Sequence, residues 1–105
     1  MVGITWTDRA KLSLKKHLIY SETYFGPKAA NKLAKLTQKK VDQLQKYPLT
    51  GFPEPILSNR KENFRSCVIQ KPIKMVYHFV EESDTLYIDN FWDMRRNPDA
   101  LKGYI

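Results

Sequence analysis

Cysteine is almost absent: Cys67 stands alone among 105 residues. No internal disulfide can form, so folding does not require an oxidising compartment. Histidine is nearly as scarce, with only His17 and His78. Two histidines and one cysteine at these separations give no metal-site spacing, and no cofactor is expected. No stretch approaches the ~20 apolar residues that a membrane span needs. The opening Met1-Val2-Gly3-Ile4-Thr5-Trp6 has no basic region followed by a long apolar run, so no signal peptide is expected. A cytoplasmic location without membrane partners is the expectation. Acids are also few, 11 against 18 lysines and arginines, for a net charge of +7. Such an excess concerns solubility and partners rather than fold, and it makes a polyanion the first partner to consider. The chain has no repeat or linker, and its length fits one domain over residues 1–105. Apolar residues make up 42%, enough for a globular core.

What is present divides at the proline-rich middle. Val2 to Trp6 is a short β-prone run. Thr7 is placed to cap a helix, with Asp8 in the first turn where the dipole favours a negative charge. Ala10, Leu14 and Leu18 then recur every four residues, which predicts an amphipathic helix from about Asp8 to Tyr24. Gly26-Pro27 stops it, and Pro27 suits the first position of a second helix running to about Tyr47. Ala30, Leu33, Thr37, Val41 and Leu44 share one face of that helix, and Lys28, Lys32, Lys35, Lys39 and Lys46 share the opposite one. Two helices with so short a break predict an antiparallel helical hairpin.

Tyr47 to Asn63 carries Pro48, Gly51, Pro53 and Pro55 and reads as a loop with no regular element. The period then changes from 3.6 to 2. Three strands are expected, from Phe64 to Ile69, from Ile73 to Val80 and from Leu86 to Trp92. Lys71-Pro72 and the acidic run from Glu81 to Asp84 provide the turns. Asn97 and Pro98 then open a short helix to about Lys102. The fold class is α+β, in the order β-α-α-β-β-β with a short C-terminal helix. The hairpin is expected to cover the sheet face made by Ile73, Met75, Tyr77 and Phe79. The opposite, open face is expected to carry Arg65, Cys67, Lys74, Val76 and His78.

The end of the third strand, Trp92-Asp93-Met94-Arg95-Arg96-Asn97-Pro98, places two guanidinium groups where a strand stops. Their planar forks match phosphate oxygens, although Asp93 stands close enough to occupy one of them. This motif, the opening Trp6-Thr7, Phe25-Gly26, Leu44 with Tyr47-Pro48 and Gly51, Phe64-Arg65 and Lys74-Met75-Val76-Tyr77 together resemble the RelE/ParE family of bacterial toxins. The likeness runs over nearly the whole chain. It implies a growth-inhibiting toxin of a type II toxin–antitoxin pair, neutralised by a cognate antitoxin and reaching operator DNA only through it. RelE-like members enter the ribosomal A site and cut messenger RNA as mRNA interferases. ParE-like members poison DNA gyrase and are not nucleases. A non-toxic basic RNA-binding module is the third reading.

The ribosome is the preferred target at this point, because cations are expected to line the open face. RNA cleavage without a metal needs the scissile phosphate held and its charge stabilised by fixed donors, with protons moved by an acid or base. The resemblance carries the catalytic positions to Arg65, Lys74 and Arg95 or Arg96. His78 shares the Lys74 face and is the candidate acid–base, with a hydrogen-bonded structural histidine as the alternative. Three positions depart from the RelE pattern. Cys67 stands where a second basic residue is common, Lys74 lacks the bidentate fork, and the C-terminal tyrosine has no clear counterpart unless Tyr104 swings into its place. Lys71 and the row Lys28, Lys32, Lys35 and Lys39 are expected phosphate contacts, or equally a solvated helix face.

Overall fold

Thr7 sets the first helix. Its side-chain oxygen accepts a bond from the Ala10 amide at 3.1 Å, and its hydroxyl donates to the Ile88 carbonyl at 2.9 Å. One residue thus caps helix α1 (Asp8–Phe25) and ties it to a strand eighty residues away. Gly26, at φ 93°, takes the backbone into a region open mainly to glycine and turns the chain into α2 (Pro27–Lys46). Leu33, Thr37, Val41 and Leu44 are the buried stripe of α2, the face expected from their spacing. The computed structural model describes residues 2–105.

A five-stranded sheet follows, made of β1 (Gly3–Trp6), β2 (Phe52–Pro53), β3 (Phe64–Gln70), β4 (Ile73–Val80) and β5 (Thr85–Asp93). The spatial order is β1-β5-β4-β3-β2. Strands β3, β4 and β5 form the expected antiparallel meander, and β1 joins β5 in parallel at one edge. The α+β class and element order agree with the sequence reading. The segment from Tyr47 to Asn63 is more ordered than expected: it supplies the two-residue strand β2 and a 3-10 turn at Pro55–Leu57. The C-terminal helix is also of 3-10 type, over Pro98–Tyr104, opened by Asn97, whose side chain accepts from the Asp99 amide.

Two apolar clusters flank the sheet. The hairpin side gathers Ala10, Val41, Leu44, Met75, Tyr77 and Ile88, among others. The other side gathers Leu57, Phe64, Val76, Trp92 and Leu101. This second cluster corrects the expectation of an open face. The Pro55–Leu57 and Pro98–Tyr104 turns pack across it, because Leu57 and Leu101 are apolar and lie close to Val76 and Trp92. Arg60 fastens the tail by donating to the carbonyls of Lys102 and Ile105 at 3.0 and 2.9 Å.

Register corrects two further positions. Arg65 lies opposite Tyr77, and Cys67 lies opposite Met75. Directly paired residues in an antiparallel ladder share a face, so Arg65 and Cys67 belong to the hairpin side. Cys67 packs in that core, where burial pushes its thiol pKa up. Tyr77 is fully buried, and burial pushes its hydroxyl up to about 12. That hydroxyl donates to the Pro48 carbonyl at 2.8 Å and accepts from the Gly51 amide at 2.9 Å. A Cβ on Gly51 would sit 2.7 Å from the Tyr77 hydroxyl and 2.9 Å from the Ser66 carbonyl. Gly51→Ala is therefore expected to lower stability by about 1–3 kcal/mol, as overpacking does where backbone cannot yield. Urea unfolding of the variant against wild type measures it.

Candidate functional site

Lys74 projects from the start of β4 onto the face opposite the hairpin. Its ammonium sits 2.6 Å from Glu54 Oε2. The Glu54 side chain is 5% exposed and that of Lys74 18%, so the pair is largely out of water. Neither charge tolerates burial alone, and each makes the other possible.

His78 lies four residues further along the same strand, about 13 Å from Lys74 at the usual rise per residue. Its Nδ1 is 2.7 Å from Asp89 Oδ2. Asp89 is the extra residue of a bulge in β5, where Val76 pairs with Asn90 and Tyr77 with Ile88. Burial pushes the Asp89 carboxyl up, opposed by the hydrogen bond from His78. The imidazole is stacked on Tyr87 at 5.1 Å and met edge-on by Phe64. His78 is thus held on three sides, as the structural alternative described.

Arg65 serves the hairpin side of the sheet. Its guanidinium donates to the carbonyls of Gly51 and Leu49, at 2.8 and 3.4 Å. It anchors the loop that Tyr77 also holds.

The two arginines of the C-terminal motif separate. Arg95 forks onto Asp93, with Nη2 2.7 Å from Oδ2 and Nε 3.0 Å from Oδ1. Those hydrogen bonds hold the Asp93 carboxyl below its ordinary range. Arg96 lies over the rings of Trp92 and Tyr104, at 4.3 and 5.0 Å from their centroids, and its Nη2 reaches the Tyr104 hydroxyl. That hydrogen bond lowers the Tyr104 phenol pKa. Tyr104 therefore does swing toward the sheet, but as a clamp for Arg96.

The expected single pocket of Arg65, Lys74, His78 and the two arginines does not form. Arg65 is on the other face, Lys74 and His78 each face their own carboxylate, and Arg95 carries Asp93. Lys28, Lys32, Lys35 and Lys39 do come together, along one side of α2. Lys71 joins Arg95, Arg96, Lys32 and Lys16 around a separate groove of about 710 Å³ between the hairpin and the Lys71-Pro72 turn. Among the described residues, no three His, Cys, Asp or Glu side chains are placed to hold a metal ion. No helix is long and apolar enough to cross a membrane.

The sequence reading passed over Glu54 and Asp89, the two carboxylates that set this electrostatics. Asp89 carried a signal: an acid inside the apolar run from Leu86 to Trp92 is unusual unless paired. Glu54, between two prolines in a loop, carried none.

Three substitutions test these pairs. Lys74→Met strands the buried Glu54 and is expected to cost about 3 kcal/mol. Adding Glu54→Leu removes the stranded charge and should restore most of that loss, whereas simple additivity would show the two groups to be independent. His78→Phe removes the donor that opposes burial at Asp89, so the carboxyl rises further. A group raised in the folded state favours folding while it stays protonated, and that contribution disappears as pH rises through its folded value. The loss in His78→Phe should therefore be small near the ordinary carboxylate value of 3.8 and grow toward neutrality. Denaturant melts across that range read it directly.

The family profile described as the ParE toxin of the type II toxin–antitoxin system, parDE, matches residues 4–98. Two solved structures share the fold. A metal-bound toxin from Helicobacter pylori is 22% identical, with 90% of this chain and 97% of that chain covered, at a TM-score of 0.65. The chromosomal ParDE toxin–antitoxin system from P. aeruginosa contains a chain 18% identical, with 87% and 94% covered, at a TM-score of 0.67. At these identities the two structures speak to fold alone. No curated protein matches the chain in sequence. With its profile match running from the first strand to the end of the arginine motif, the chain belongs to the ParE toxin family of type II toxin–antitoxin systems.

Proposed function

We propose that this toxin acts by binding, as a poison of DNA gyrase, and does not cut RNA. The observation that carries the reading is the internal use of the cations. A scissile phosphate needs donors aimed at one point, each worth ~2.7–4 kcal/mol in comparable sites. Here Lys74 and Arg95 are spent on carboxylates, and Arg65 bonds backbone carbonyls on the reverse of the sheet. His78 is held by Asp89, Tyr87 and Phe64 and lies about 13 Å along β4 from Lys74. The ribosome reading relied on a row of free cations on an open face, and that face is packed by the C-terminal turn. Membership of the ParE branch supports gyrase in its place.

Such a toxin requires a cognate antitoxin. The basic surface, at a net charge of +7, favours an acidic partner and speeds its capture by long-range attraction. Operator DNA is reached through that partner.

Purified toxin is expected to block supercoiling by gyrase and to accumulate broken DNA, and cells producing it should show the SOS response. Primer extension on messenger RNA from the same cells should show no new ends. Cuts that depend on the ribosome, with gyrase unaffected, would overturn the proposal.

A further inference from the structure

The hairpin tip exposes three rings. Tyr20, Tyr24 and Phe25 are 49%, 68% and 71% exposed, and they cluster, with the two tyrosines 4.6 Å apart and Phe25 6.4 Å from Tyr20. The Tyr20 hydroxyl faces Arg95, while most of the Tyr24 and Phe25 rings stays in solvent. Exposed aromatic clusters of this kind mark contact surfaces.

Tyr20 and Phe25 form one lip of the groove of about 710 Å³ described above. Lys16, Lys32 and Lys71 stand around that groove, and its one acid, Asp93, is already neutralised by Arg95. None of these lysines has an ion-pair partner among the described residues. Lys32 also lines the neighbouring surface, where Lys28, Lys35 and Lys39 continue the row. The charge is therefore a continuous belt. It joins a groove with stacking rings to a lysine row that spans about 16 Å of α2, from Lys28 to Lys39, at the helical rise.

We infer that this belt is a binding site for a single strand of DNA, with bases entering the groove against Tyr20 and Phe25 and the phosphate chain following the lysines. Flat rings joined to a track of flexible cations suit unpaired bases on an anionic chain. A duplex offers the lysines phosphates but leaves the rings without a face to stack on. An acidic peptide matches the charge but gives no reason for a cluster of exposed planar rings at the lip. Lysine, a point charge with a mobile stem, contacts phosphates without demanding sequence. The choice of DNA over RNA rests on the gyrase reading, since gyrase acts on DNA; the preference for an unpaired strand rests on the groove alone.

The test is fluorescence anisotropy with labelled oligothymidine of about 16 nucleotides, a length within the usual range of single-strand sites. Oligouridine, a DNA duplex and a glutamate-rich peptide serve as the other probes. Oligothymidine should bind best. Lys32→Ala and Lys71→Ala should each reduce the log–log salt slope by about 0.7. Phe25→Ala should weaken binding roughly tenfold and leave the slope unchanged. These positions are at the surface, and circular dichroism checks the fold of each variant. Phe25→Leu, which keeps apolar bulk without a flat ring, gives the same reading if Phe25→Ala does not fold.

No binding at low salt, tighter binding of duplex, or a peptide that displaces oligothymidine while Phe25→Ala has no effect would each overturn the site. Tighter binding of oligouridine would overturn the assignment to DNA and leave the groove intact. Gyrase inhibition, measured separately with the wild type, tells a failure of this site from a failure of the gyrase proposal.

Discussion

One buried hydroxyl holds the molecule's two halves in relation. Tyr77 Oη, at the centre of β4, bonds both sides of the chain segment that leaves α2: the Pro48 carbonyl and the Gly51 amide. In a low-dielectric core each of those groups would be costly without its partner, so the segment has one satisfactory path across the hairpin side of the sheet. Gly51 is required because that path presses its backbone against the ring. Arg65 adds its guanidinium to the same turn from β3. Everything downstream depends on this placement. With residues 48–51 fixed, β2 falls beside β3, Glu54 arrives above Lys74, and Leu57 covers Val76.

The same economy runs through the polar groups elsewhere on the sheet. Glu54, Asp89 and Asp93 each come within 2.7 Å of a basic nitrogen; two of the partners, Lys74 and Arg95, had looked like ligands for an external phosphate, and the third, His78, like an acid–base. A carboxylate fixed at that distance competes directly with any incoming anion. Displacing it would also leave a desolvated charge behind at Glu54 or Asp89. The family therefore supplies a toxin fold here whose catalytic-looking positions act as internal staples. The free positive charge lies elsewhere, on the outer side of α2 and around the hairpin tip.

Legibility in the sequence followed the range of each interaction. The caps at Thr7 and Asn97, the break at Gly26-Pro27 and the buried stripe of α2 are local, and their residues state them directly. The meander was equally plain, because alternation over β3 to β5 is a two-residue pattern. Faces were harder. The side on which Arg65 and Cys67 lie depends on register with Tyr77 and Met75, and a shift of one residue reverses it. Covering of the far face depended on Leu57 and Leu101, each in a segment too short for periodicity to show. The pair of Asp93 with Arg95, two residues apart, was legible, but that of Glu54 with Lys74 was not, since these meet only after β2, β3 and β4 have docked. A cation's availability is a property of its neighbours in space, and sequence lists only its neighbours in the chain.

The parallel strand at the sheet edge bears on how the toxin comes into being. β1 precedes both helices and the meander in the chain, yet the strand it pairs with is β5, with Gly3 opposite Thr85 and Trp6 opposite Ile88. Thr7 likewise waits for the Ile88 carbonyl. Contacts this distant in sequence form late, after the intervening chain has been ordered. The ribosome must therefore deliver β5 before this edge can close. Until that moment Ile4 and Trp6 lack the strand they pack along, and a growing chain on its ribosome is not yet a finished poison. Maturation is thereby postponed until β5 is made, which leaves a neutralising protein time to be waiting.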